Sequence, residues 1–140
     1  MRTFLALALA SSLATWGAAA QQIPGAALQP EQQGNIGFVS GGSSLDDRQA
    51  LKGMESNYDV RFTFAVLPSH EYLSGVGVKI ADAGGNTVLD TVADGPLFYA
   101  QIPAGHYRVT VTNAGQSQTG DFTVAGNNVV ARAFFWRQTG

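Results

Sequence analysis

From Asp59 onward apolar residues recur at every second position, and no other feature constrains the fold as tightly. In "DVRFTFAVL" Val60, Phe62, Phe64 and Val66 share one face while Arg61 and Thr63 take the other. That is the period of a strand with one buried face, since successive side chains of an extended chain point to opposite sides. "GVGVKI" repeats it with Val76, Val78 and Ile80 on one side and Lys79 outward. "TVLDTV", "LFYAQI", "HYRVTVT", "QTGDFTV" and "NVVARAFFW" follow. Turn-forming stretches such as "AGGN" (Ala83 to Asn86) and "DGP" (Asp94 to Pro96) separate them. Seven short strands at this spacing predict an all-β antiparallel sandwich over residues 59–137.

The chain ahead of the strands reads differently. "MRTFLALALASSLATWGAAA" carries one charge at Arg2, an apolar run from Phe4 to about Leu13, and small residues at its end. Ala18 and Ala20 give the small-x-small pattern of a signal peptide, so residues 1–20 are expected to be removed between Ala20 and Gln21. The apolar run is short for a membrane span, so no membrane insertion is expected after cleavage. Residues 21–35, rich in Gln, Pro and Gly, read as a flexible leader. Residues 36–58 form an N-terminal segment with a helix at about 45–56, in "SSLDDRQALKGMESN". Ser44 stands three residues before Asp47, and Asp46 and Asp47 suit the positive end of a helix. Leu51 and Met54 fall on one face, with Ala50 flanking. Gly53 weakens the helix and Asn57 is a plausible stop.

Composition removes several function classes. The chain has no cysteine, so packing alone must hold it, even in an oxidising compartment. Of eight Lys and Arg, Arg2 leaves with the signal, so seven remain against ten Asp and Glu, a net charge of −3. Neither sign is clustered, which excludes the basic footprint of a nucleic-acid binder. There is no amphipathic basic helix for a membrane surface.

"IPAGHYRVTVT" (102–112) resembles the signature of carboxypeptidase regulatory-like domains, through Ile102, Pro103, Gly105, Tyr107, Val109 and Val111. "GVGVKIADAGGNTVLDT" before it is similar to that family's first hairpin. The resemblance implies a seven-stranded prealbumin-like (transthyretin-like) Greek-key sandwich with one short N-terminal helix, as in small exported bacterial members. The signature also has its own physical reading. Pro103 ends a strand, where its missing N–H costs least. Gly105 supplies a positive φ after Ala104. Tyr107 points inward, with its hydroxyl free to reach a loop backbone group.

The chain has two histidines, His70 and His106. By alternation His106 faces away from Tyr107, beside Arg108 and Thr110. An adjacent arginine gives a base nothing to activate, so His106 reads as a turn residue. His70 stands in "PSHEYLSG". Ser69, His70 and Glu71 are consecutive and cannot converge as a triad. A loop there can present His70, Glu71 and Tyr72 to a partner. No ligand spacing points to a metal, and Asp82 and Asn86 are better explained as turn residues than as a calcium site.

Enzymes of this fold fit poorly at the level of sequence. Hydroxyisourate hydrolases end in "Y-R-G-S", whereas this chain ends in "FFWRQTG". Intradiol dioxygenases use two tyrosines and two histidines on iron; Tyr99, Tyr107, His70 and His106 supply the types but not the order. Lys52 and Lys79 are poorly placed for an isopeptide crosslink. In "VVARAFFWRQ", Arg132, Phe134 and Trp136 share a face, which the N-terminal helix is expected to cover. Left uncovered, they would form a docking surface with Tyr99.

The expectation is therefore a non-enzymatic periplasmic binding or accessory module of the cell envelope. It would have no cofactor and no catalytic residue, and its partner would be an envelope protein or a glycan. Its expected binding residues are His70, Glu71, Tyr72, Tyr99, Arg132, Phe134 and Trp136. Two alternatives accompany it. One is a carbohydrate- or peptidoglycan-binding module built on Trp136 and Tyr99. The other is a small hydrolase or metal-dependent enzyme using His70 and His106.

Overall fold

The period-two pattern builds two packed sheets. The computed structural model describes residues 28–137. The expected signal peptide and the first part of the expected leader, 21–27, lie outside the described residues. The strands are β1 (Glu31–Gln33), β2 (Ile36–Gly41), β3 (Val60–Leu67), β4 (Glu71–Tyr72) and β5 (Gly77–Asp82). They continue with β6 (Thr87–Val92), β7 (Leu97–Gln101), β8 (Gly105–Asn113), β9 (Gln116–Val124) and β10 (Val130–Arg137). One sheet runs β1-β2-β7-β3-β10, with β4 also on β3, and the other runs β6-β5-β8-β9.

The fold is a β-sandwich, as the alternation implies, with two differences in detail. Three further strands join the seven read from sequence. β1 falls inside the expected leader, β2 inside the expected N-terminal segment, and β4 is a two-residue pairing at His70's loop. The sheets are also not wholly antiparallel: β10 pairs parallel to β3 along its whole length, Val130 with Val60 through Arg137 with Leu67. Period two fixes which face a residue takes, but it carries no information on strand direction.

The inward faces meet in an aromatic centre. Phe62 lies edge-on to Phe134 at 5.4 Å and to Phe122 at 5.8 Å, and stacks with Phe98 at 6.3 Å. Val78, Ile80, Leu89, Val109 and Val111 from the second sheet close over it, all buried.

The helix, α1 (Leu45–Met54), is capped as its sequence suggests: Asp47 N–H donates to Ser44 Oγ at 3.1 Å. A short 3₁₀ turn, Glu55–Asn57, extends it to the expected stop. Its buried residue, Leu51, packs with Val39 and Tyr99 on the outer face of the first sheet. β2 and β7 are therefore covered on both faces, which is why "LFYA" is an unbroken apolar run.

Where the helix lies corrects one expectation. It covers Val39 and Tyr99, not Phe134 and Trp136. Those two point into the sandwich centre, at 8% and 4% exposure, and are covered by the opposite sheet. On the helix side it is Phe135 that stays 40% exposed.

Side chains close both lateral sides of the sandwich. Gln33 of β1 exchanges two hydrogen bonds with the Asp90 backbone of β6, both at 3.0 Å, as a strand residue would. On the other side Trp136 Nε1–H donates to Gln116 O (3.0 Å), Gln118 Nε2–H to Phe135 O (2.6 Å) and Arg132 Nη2–H to Asp121 O (2.9 Å). Occupying edge carbonyls in this way blunts the edge strands against pairing with other chains. The Arg132 bond also brings a guanidinium from one sheet to the end of the other.

Candidate functional site

The β8–β9 hairpin determines what faces what. Ala114 and Gly115 have φ of 50° and 81°, the positive pair of a two-residue hairpin turn. This sets Asn113 opposite Gln116, so Arg108 falls opposite Asp121 and His106 opposite Thr123. Both pairs point outward, away from Val109, Val111 and Phe122, and both are joined. Arg108 Nε–H donates to Asp121 Oδ1 at 2.8 Å, with Nη2 at 3.5 Å from Oδ2. His106 Nδ1 lies 2.9 Å from Thr123 Oγ1.

A cleft of about 620 Å³ runs across these pairs. Ala81 of β5 lies opposite Arg108 and leaves the floor beside it open. The turn at Asp82, Ala83 and Gly85 forms one wall and Arg132 the other. Asp82 is a turn residue, as expected, since its Oδ1 accepts from the Gly84 and Asn86 N–H groups. Arg132 lies close over Gly120, and a Cβ there would be in ordinary contact with Arg132 Nη1 at 3.5 Å.

Electrostatically the row alternates in sign. The hydrogen bond and charge of Arg108 hold the Asp121 carboxyl below its usual range, and Asp121 raises Arg108 in turn. The sign follows directly. A carboxyl lowered in the folded state favours folding above its unfolded value, and that contribution fades as pH falls through the lowered one. Both side chains are well exposed, 63% and 71%, so solvent screening keeps the contribution small. Arg132 differs from Arg108 in having no carboxylate within ion-pair distance among the described residues.

The signature residues behave as their chemistry requires. Tyr107 O–H donates to Pro103 O at 2.7 Å, and its ring stacks on Phe122 at 5.6 Å. Burial raises its hydroxyl pKa first, and Asp82 and Asp59 raise it further. Gly105 has φ of 156°, and a Cβ there would lie 3.3 Å from the Tyr107 hydroxyl. A second hollow, of about 500 Å³, lies beyond Tyr107 and Asp82 against Gln33, Asn35 and Pro103; no histidine or arginine lines it.

The other residues singled out from sequence do not converge. His70 sits past the end of β3 with φ of 65°, its ring edge-on to Phe135 at 6.0 Å. His106 belongs to the opposite end, where Ile102 N–H meets Asp59 Oδ1 beside the start of β3. The length of β3 alone separates the two histidines by about 20 Å or more. A site using both is thus ruled out by geometry, and no group of three metal-ligating side chains occurs among the described residues.

Glu71 and Tyr72 are exposed on β4, with the Arg48 guanidinium 5.7 Å from the Tyr72 ring. Tyr99 is buried under α1, and Trp136 and Phe134 in the centre, so none of the three offers a stacking face. Of the expected binding residues, only Arg132 reaches the cleft.

His106, read from sequence as a turn residue beside Arg108 and Thr110, lies in β8 and is joined to Thr123. Asp121 and Thr123 are the site residues that the sequence reading misses. Counting the register outward from the "NAGQ" turn would have found both.

No family model matches the chain, and no curated protein matches it. Among solved structures it is similar to a 5-hydroxyisourate hydrolase from Klebsiella pneumoniae, at 18% identity and a TM-score of 0.45. The match covers 58% of this chain and 90% of that one. The matched structure is an enzyme, which does not agree with the expectation of a non-enzymatic binding or accessory module. At this level the likeness concerns the fold and assigns no reaction to the chain.

Proposed function

We propose that the cleft between His106 and Arg132 is the working site of this protein. It takes a small molecule by an anionic or carbonyl group at Arg132, with the His106–Thr123 pair positioned to exchange a proton with it. The observation that carries this is His106 Nδ1 at 2.9 Å from Thr123 Oγ1, in the same cleft that Arg132 lines. With Nδ1 donating to the hydroxyl, Nε2 keeps the free lone pair of a base. A guanidinium without a carboxylate partner keeps donors for an acceptor on the ligand.

The plainer reading is a solvated sheet face, where cross-strand polar pairs add a little stability. Lys79 opposite Asp90 and Thr110 opposite Thr119 are of that kind. The cleft differs in that a third strand, from the other sheet, brings Arg132 to the same row.

Titrating sodium acetate into labelled protein is expected to shift the resonances of His106, Thr123 and the Arg132 side chain together. Arg132→Ala should weaken that response about tenfold, the order of one lost charge-assisted contact. A response centred on the second hollow, or one indifferent to Arg132→Ala, would sink the proposal.

Two finer readings belong with it. Ile102, Pro103, Gly105 and Tyr107 support placing the chain in the carboxypeptidase regulatory-like branch of the transthyretin-like sandwiches. The pattern of residues 1–20 supports export to the periplasm. Protein recovered from that compartment should begin at Gln21; a cytoplasmic protein retaining Met1 would contradict export.

A further inference from the structure

Three of the four charged side chains lining the cleft form a row, Arg132, Asp121, Arg108, with the carboxylate between the guanidiniums. Asp121 serves both neighbours, through its carbonyl to Arg132 and its carboxylate to Arg108. It keeps capacity to spare. A carboxylate offers about four acceptor sites, and only one strong bond, at 2.8 Å, is made here, the second contact being stretched to 3.5 Å. The side chain is 71% exposed and lines the cleft. The other carboxylate nearby, Asp82, has Oδ1 taken by two backbone N–H groups of its own turn.

A plain anion approaching Arg132 therefore meets the Asp121 carboxylate, whose charge already interacts with that of Arg132, as a neighbouring like charge. A molecule with an anionic group next to a hydrogen-bond donor meets complementary partners at both positions. We infer that the cleft selects small ligands with a carboxylate beside an ammonium or N–H group, of amino-acid type, over simple anions, and that Asp121 is the residue that discriminates. This rests on the proposal that the cleft is the working site.

Glycine and acetate differ by one ammonium group and make the comparison direct. Each is titrated into the wild-type protein and into Asp121→Asn, followed at the Arg132 Nε–H and His106 ring resonances. Wild-type protein should bind glycine several-fold more tightly than acetate. Asp121→Asn should weaken glycine and tighten acetate, each by about three- to fivefold, the size of one screened charge interaction at contact range. Acetate binding as well as glycine in the wild type, or the substitution moving both probes in one direction, would overturn the inference while leaving the anion site in place. No response at Arg132 to either probe would remove the working-site proposal itself.

Discussion

Gly95→Ala is expected to lower stability by about 3 kcal/mol or more, the upper range for forcing an extra group into a packed interior. The turn carrying Gly95 crosses the end of β2 at backbone contact distance. A Cβ there would fall against the Gly41 carbonyl group, with the Gly41 Cα at 2.7 Å. Both residues are buried, and the atoms in the way are main chain, so no rotamer change relieves the overlap. The crossing is also pinned by Asp94 N–H, which donates to Ser40 Oγ at 2.9 Å. Thermal unfolding should show the midpoint falling by roughly 10 °C or more. A midpoint within a degree or two of wild type would mean that β2 and this turn do not approach so closely. That would remove the argument that residues 36–41 are built into the sandwich.

Phe62→Ala is the second large effect, expected to cost about 3–5 kcal/mol through lost burial and the cavity left behind. Phe62 is fully buried and touches aromatic rings from three other strands, β7, β9 and β10. Its removal thus loosens both sheets at once. Against a total stability of about 5–15 kcal/mol for a domain of this size, the variant should be partly unfolded at ambient temperature or lose cooperativity. Denaturant unfolding followed by tryptophan fluorescence reads this through Trp136, which packs on Phe64 within the same cluster. A loss below about 1 kcal/mol would place Phe62 outside the centre.

What sequence alone could and could not yield follows from the physics of strands. Alternation at Val60, Phe62, Phe64 and at Val109, Val111 fixes an inward face locally, and so the sandwich was legible. The cap at Ser44 and the turn at Asp82 to Asn86 were legible for the same reason, since their chemistry acts over two to four residues. Parallel pairing of β10 with β3 was not, because direction depends on contacts seventy residues apart. The helix reads from its cap and spacing, but the surface it covers, Val39 and Tyr99 and not Phe134 and Trp136, does not. Nothing local in Leu51 distinguishes Tyr99 from Trp136 as its neighbour. The cleft fell between these cases. Arg132 was singled out for its company of aromatics, yet it matters for reaching across to Asp121. His106 reads from sequence as a turn residue beside Arg108, since its partner Thr123 lies seventeen residues away across a hairpin and is not visible locally.

One cleft, at the end of the β5-β8-β9 face, is where we propose that this protein meets its ligand. A crystal structure of the protein grown with glycine tests it most directly. A glycine molecule is expected there with its carboxylate on Arg132, its ammonium on Asp121, and His106 still joined to Thr123 beside it. A structure with the cleft unchanged and glycine bound elsewhere, or bound with its ammonium away from Asp121, would contradict it.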